Sequence, residues 1–157
     1  LFNEDESINR FCDAFQMLKA QAGDVDLFIE NNVFSAANAE TYKTKNPFML
    51  TNFDKYISLK EKIDFNLLLD VAHLKVSAKT LGLDLEDEFA KMINVSNYIH
   101  ISDNDGMHDS NNRLNKSSTL LSMLSNSVTD NKDFTLEIYD GVDSIKQSYQ
   151  ALESAIS

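Results

Sequence analysis

The chain has 157 residues, with 25 Asp and Glu against 14 Lys and Arg and a formal charge of −11. This length and a hydrophobic fraction of 43% suit one domain with a buried core, expected over 1–157. Only 4 Gly and 1 Pro argue against disordered and tight-turned architectures, and a single Cys excludes a disulfide framework or a Cys-rich zinc site. The absence of a long apolar run or a leader pattern predicts no membrane association and a cytoplasmic protein, and the negative charge disfavours nucleic acid as a partner.

The apolar positions switch between helical and strand periods along the chain. Ile8, Phe11, Cys12, Phe15 and Leu18 share one helical face, behind an acidic start at Glu4-Asp5-Glu6 that suits a helix N-terminus. Gly23 ends that helix, and the apolar run 25–29 reads as a buried strand reaching Glu30. A polar connection is expected over 31–46, then a helix over 50–60. A second strand over 65–70 ends in Asp70. Helical segments at 76–80 and 86–93 flank Gly82. A third strand over 98–102 contains His100 and stops at Asp103-Asn104-Asp105-Gly106. After a polar loop come a helix over 118–124, a fourth strand over 134–139 with Glu137, and a helix over 142–156. Strands that alternate with helices predict an α/β fold of parallel βα units, about four strands and five helices.

Each strand delivers a metal-type ligand at or near its C-terminal end: Glu30, Asp70, His100 and Glu137. In parallel α/β folds those ends converge on one face, where sites are built. Three carboxylates and an imidazole suit a divalent cation such as Mn²⁺, Co²⁺, Mg²⁺ or Zn²⁺. Without a cation, three acids side by side would repel strongly.

Four segments carry a family resemblance: Phe28-Ile29-Glu30-Asn31-Asn32, Leu69-Asp70-Val71-Ala72-His73, His100-Ile101-Ser102-Asp103-Asn104-Asp105-Gly106 and Leu136-Glu137-Ile138-Tyr139-Asp140. In this order they resemble the xylose-isomerase-like barrel superfamily, which includes sugar isomerases and epimerases and the endonuclease IV type of AP endonuclease. The resemblance implies the C-terminal half of a (β/α)₈ TIM barrel, because a complete barrel needs about 250 residues. The endonuclease branch uses three zinc ions and an Asp-x-His pair after its seventh strand. Asp109-Ser110-Asn111 stands there, with Asn in place of His. The isomerase–epimerase branch uses one metal, and the resemblance assigns it to Glu30, Asp70, His100 and Glu137.

The chemistry this implies is isomerisation or epimerisation of a small sugar or sugar phosphate through an enediolate. Glu30 and Glu137 form the acid/base pair, while Asp70 and His100 mainly hold the metal. His73, three residues after Asp70, is expected to face the same mouth and hydrogen-bond a substrate hydroxyl, or else to cap a loop or helix. Two readings stand beside this one: an AP-site endonuclease with an altered metal site, and a non-catalytic barrel remnant. His108 reads as an exposed loop residue and Cys12 as core. Asp103, Asp105 and Asp109 fit either loop fixing or support of the site. Arg113 fits either a solvated side chain or a phosphate or hydroxyl contact. Leu27, Ile29, Leu67, Leu69, Ile99, Ile101 or their neighbours are expected on the uncovered inner face of the sheet. Such an exposed face predicts a homo-oligomer of half-barrels.

Overall fold

Residues 3–43 and 45–156 are described by the computed structural model of the chain, which is α/β. The strands are β1 (Phe28–Glu30), β2 (Asn66–Asp70), β3 (Ser96–Ile101) and β4 (Asp133–Leu136). They form one sheet in the order β1-β2-β3-β4, with every neighbouring pair parallel. The helices are α1 (Glu4–Gln21), α2 (Ala36–Thr41), α3 (Phe53–Lys60), α4 (Val71–Leu81), α5 (Leu85–Ile93), α6 (Thr119–Ser125) and α7 (Val142–Ile156).

Two helices exceed the expected count of about five, although the two segments flanking Gly82 are both readable from the sequence and form as α4 and α5. The layer between β2 and β3 splits at Gly82, whose φ of 69° caps α4 in the left-handed region that favours glycine. Helix α2 forms inside the stretch expected to be a polar connection. Ser35 and Asn38 close a reciprocal capping box there, so local hydrogen bonding starts a helix without an apolar stripe. At the N-terminus the acidic segment behaves as expected. The side chain of Asn3 accepts the Glu6 N–H, and Glu4, Asp5 and Glu6 form the first turn of α1.

The sheet is two-faced, and its faces are the reverse of the sequence expectation. Leu67, Leu69, Ile99 and Ile101 are fully buried, with Leu27, Ile29, Phe134 and Leu136 packed against them. They belong to one core with Phe15 of α1, Leu59 of α3, Leu74 of α4, Phe89 of α5, Leu124 of α6 and Leu152 of α7. The open face carries Phe28, Leu68 and Tyr98 among Asn66, Asp133 and Thr135, none of them buried. The reversal follows from the β2 run Leu67-Leu68-Leu69, which is apolar on both faces and so hides its parity. Polar and aromatic side chains mix on the open face: Phe28 meets Tyr98 edge-to-face at 5.5 Å, and the Tyr98 hydroxyl lies 3.1 Å from Thr135 Oγ1. Among the described residues no helix is long and apolar enough to cross a membrane.

Candidate metal centre

The open face ends, at the C-terminal edge of the sheet, in a cluster of four potential ligands. Register brings them there. Asp70 and His100 are direct neighbours across β2 and β3. Glu30 closes β1, and Glu137 follows β4, tied to the sheet by its N–H to Ile101 O at 3.2 Å. One ligand atom from each of Glu30, Asp70, His100 and Glu137 lies within 4.8 Å of the other three. Donors at 2.0–2.4 Å from a shared divalent ion stand at most about 4–5 Å apart, so the spacing matches one cation.

Two metal-type atoms of these residues lack hydrogen-bond partners although they are buried: Asp70 Oδ2 and His100 Nδ1. Asp70 itself is fully buried. Its other oxygen, Oδ1, accepts the His73 N–H at 2.8 Å and caps α4. The His100 Nδ1 atom lies 3.2 Å from Glu137 Oε2 and 3.7 Å from Glu30 Oε1. Neither approach has the direction of a hydrogen bond. Unpaired buried polar atoms are costly, and here both are metal-type donors aimed into one cluster. The residues therefore fit a bound divalent cation.

The electrostatics agree. Burial pushes the Asp70 carboxyl up to about 6; the His73 charge and N–H pull the other way, and Glu30 and Glu137 add to the rise. A cation in the cluster would relieve the repulsion among the three acids.

Asn31, a residue the sequence did not single out, holds β1 against β2 at the site. Its side-chain oxygen accepts the Asp70 N–H at 2.6 Å, and its amide donates to Asp70 O at 3.0 Å. The buried side chain thus continues the sheet ladder by one step beside Asp70. The only sequence signal was its place directly after Glu30.

His73 lies at the cluster's edge with both ring nitrogens engaged. Nδ1 is 2.9 Å from Asn31 O and 3.8 Å from Glu30 Oε1, and Nε2 is 3.0 Å from Asp109 Oδ2. Burial acts against its charge, but Asp70, Asn31 O, Asp109 and Glu30 outweigh it and raise the pKa. Asp109 is thus a partner of His73.

The other loop acids separate by role. Asp103 Oδ1 takes Lys75 Nζ at 2.6 Å, and Asp103 bridges Asn112 in an antiparallel pair that closes the loop after β3. Asp105 accepts the Met107 and His108 N–H groups and sits 2.9 Å from His108 Nδ1 in solvent. Arg113 Nη1 donates to Gln147 Oε1 at 3.1 Å, and the residue is exposed. Cys12 is buried in the core as expected. Asn111, at the place of the endonuclease-type His, is buried with a φ of 44°, and its Oδ1 has no partner. Tyr139, also not singled out by sequence, donates its hydroxyl to Glu137 Oε1 at 2.7 Å, and this bond raises the phenol's pKa.

Comparison with protein-family models, with curated proteins and with solved structures gives no match.

Proposed function

We propose that the chain is the C-terminal half of a (β/α)₈ barrel of the xylose-isomerase-like kind. In this reading it holds one divalent metal and serves an isomerase or epimerase of a small sugar or sugar phosphate. The observation that carries the reading is the set Glu30, Asp70, His100 and Glu137, one from each successive strand end, with Asp70 Oδ2 and His100 Nδ1 left unpaired. The barrel reading is supported by strand order. Four parallel strands follow one another without reversal, and their apolar side packs on helices while the other side stays open. Doubly wound sheets instead reverse their order at a switch point.

Glu30, Asp70, His100 and Glu137 would hold the cation. When bound, it supplies polarisation of two neighbouring substrate oxygens, which acidifies the C–H between them. The chain's own groups handle the proton. Glu30 and Glu137 come from the two outermost strands and approach the cluster from opposite edges of the sheet. One carboxylate takes the proton from carbon, and the electron pair left behind moves into the enediolate. A carboxylic acid then returns a proton to the neighbouring carbon in an isomerase, while the hydroxyl proton passes from one substrate oxygen to the other, or to the opposite face of the same carbon in an epimerase. His73 has both ring nitrogens taken, by Asn31 O and Asp109, so it braces the mouth rather than binding a substrate hydroxyl.

The three-metal endonuclease arrangement is less well supported, since Asn111 offers an amide where an imidazole would be needed. Elemental analysis of the purified protein separates the readings: one metal per chain is expected, three would favour the endonuclease and none would favour a remnant. Sugar turnover by the loaded protein completes the test. Glu137→Gln should abolish it, and turnover unchanged in that variant would overturn the assignment.

A further inference from the structure

Two of the four ligand side chains, Asp70 and His100, are held by something other than a metal. Asp70 is fully buried and caps α4, and His100 packs edge-on against Tyr98 with ring centroids 5.4 Å apart. Glu30 terminates β1, next to the Asn31 clamp. Glu137 stands just beyond the last residue of β4, on a long side chain whose torsions are otherwise free. Among the described residues, the one hydrogen bond to its carboxylate comes from Tyr139.

Tyr139 is an unusual donor. The residue is 73% exposed, so packing does not explain where it stands. Its backbone is anchored instead: the Tyr139 N–H donates to Asn111 O at 3.2 Å, which ties the segment after β4 to the loop after β3. From that anchor the hydroxyl reaches back two residues and takes Glu137 Oε1, while Oε2 lies 3.2 Å from His100 Nδ1 inside the cluster.

We propose that Tyr139 is a positioning residue of the metal centre: its hydroxyl occupies Glu137 Oε1 and so commits Oε2 to the cation. The inference rests on the metal reading above. Hydrogen bonds to metal-bound carboxylates orient them, and their loss costs about 10–100-fold in affinity.

The test uses Mn²⁺ titrated calorimetrically into the purified protein and into Tyr139→Phe, together with the visible spectrum of each protein loaded with Co²⁺. Tyr149→Phe is the control, because Tyr149 makes a similar bond, to Glu153 Oε1 at 3.3 Å, on α7. Tyr139→Phe should bind Mn²⁺ about 10-fold more weakly, shift the Co²⁺ bands and leave the metal-free melting temperature unchanged. Tyr149→Phe should match the parent throughout. Parent-like affinity in Tyr139→Phe would overturn the inference and leave the metal reading standing. A lowered metal-free melting temperature with an unaltered Co²⁺ spectrum would show a merely structural hydroxyl and overturn it too. If the parent itself binds no Mn²⁺, the metal reading falls and takes the inference with it.

Discussion

Asp70 shows how one buried carboxyl links stability to metal binding. Its folded pKa of about 6 stands well above the roughly 3.9 of an unfolded Asp. The folded chain therefore keeps a proton that the unfolded chain releases between these values. For this group, metal-free stability falls as pH rises through that window, and the penalty is complete above about 6. Metal affinity has the opposite trend, because the cation takes the ionised form: it should drop as pH falls below about 6. Thermal melts at pH 5 and pH 7.5, with and without chelator, check both signs. A stabilisation by metal as large at the lower pH would contradict them. Asp70→Asn sharpens the point. The amide oxygen still caps α4, but the buried charge is gone, so at pH 7.5 the metal-free fold should gain about 1–3 kcal/mol while metal affinity falls at least 100-fold. A loss of metal-free stability in that variant would mean the carboxylate is not a burden. The four clustered residues were legible in the sequence because a charged or imidazole residue at or near the end of an apolar strand is a local signal. Asn31 and Tyr139 were not, because their roles depend on which backbone and which carboxylate the fold brings beside them.

At the scale of the elements, the junction of β1 and β2 is the weakest part of the site's frame, since β1 has three residues. Asn31 lengthens it. Asn31→Ala removes both bonds to Asp70 and leaves the buried Asp70 N–H without its partner, at an expected cost of about 1–3 kcal/mol in chemical denaturation. Metal affinity should fall with it, because Glu30 and Asp70 lose their common support. The neighbouring Asn32→Ala is the comparison. That side chain is exposed, with a 3.2 Å bond to Met49 O, and its loss should stay within about 0.5 kcal/mol. Equal effects at the two positions would remove the clamp from the argument. The strands and most helices could be read from apolar periodicity. The 3.6-residue stripe of α1 and the apolar runs before Asp70 and Glu137 are strong signals. Helix α2 could not be read this way, because it buries nothing and is set by the Ser35–Asn38 cap. The assignment of sheet faces failed for a different reason. Leu67-Leu68-Leu69 satisfies either face, and only the helices packed on Leu67 and Leu69 decide between them.

At the scale of the molecule, both sheet edges are unpaired among the described residues. β1 and β4 each have a neighbour on one side only. Beside β4, Phe134 and Leu136 of the strand and Tyr149, Leu152 and Ile156 of α7 line an apolar groove of about 520 Å³. Exposed strand edges pair readily with other strands, and an apolar groove along one adds a hydrophobic gain. The open face is less apolar than the sequence suggested, so association should run through the edges rather than through that face. Two copies related by a twofold axis along the strands would set β4 of each against β1 of the other, all eight strands parallel, and would close the sheet. Further βα units on the same polypeptide would fill the same edges instead. The net charge of −11 per chain opposes pairing, and divalent cations at the two clusters offset part of that repulsion. The expectation for this chain alone, loaded with Mn²⁺, is a particle of twice 17.7 kDa by light scattering at micromolar concentration. Tyr149→Glu places a charge on an exposed position of the groove, beside Glu153, and should return a folded monomer with an unchanged circular dichroism spectrum. A parent protein that stays monomeric and binds no hydrophobic dye would show that neither edge needs a partner.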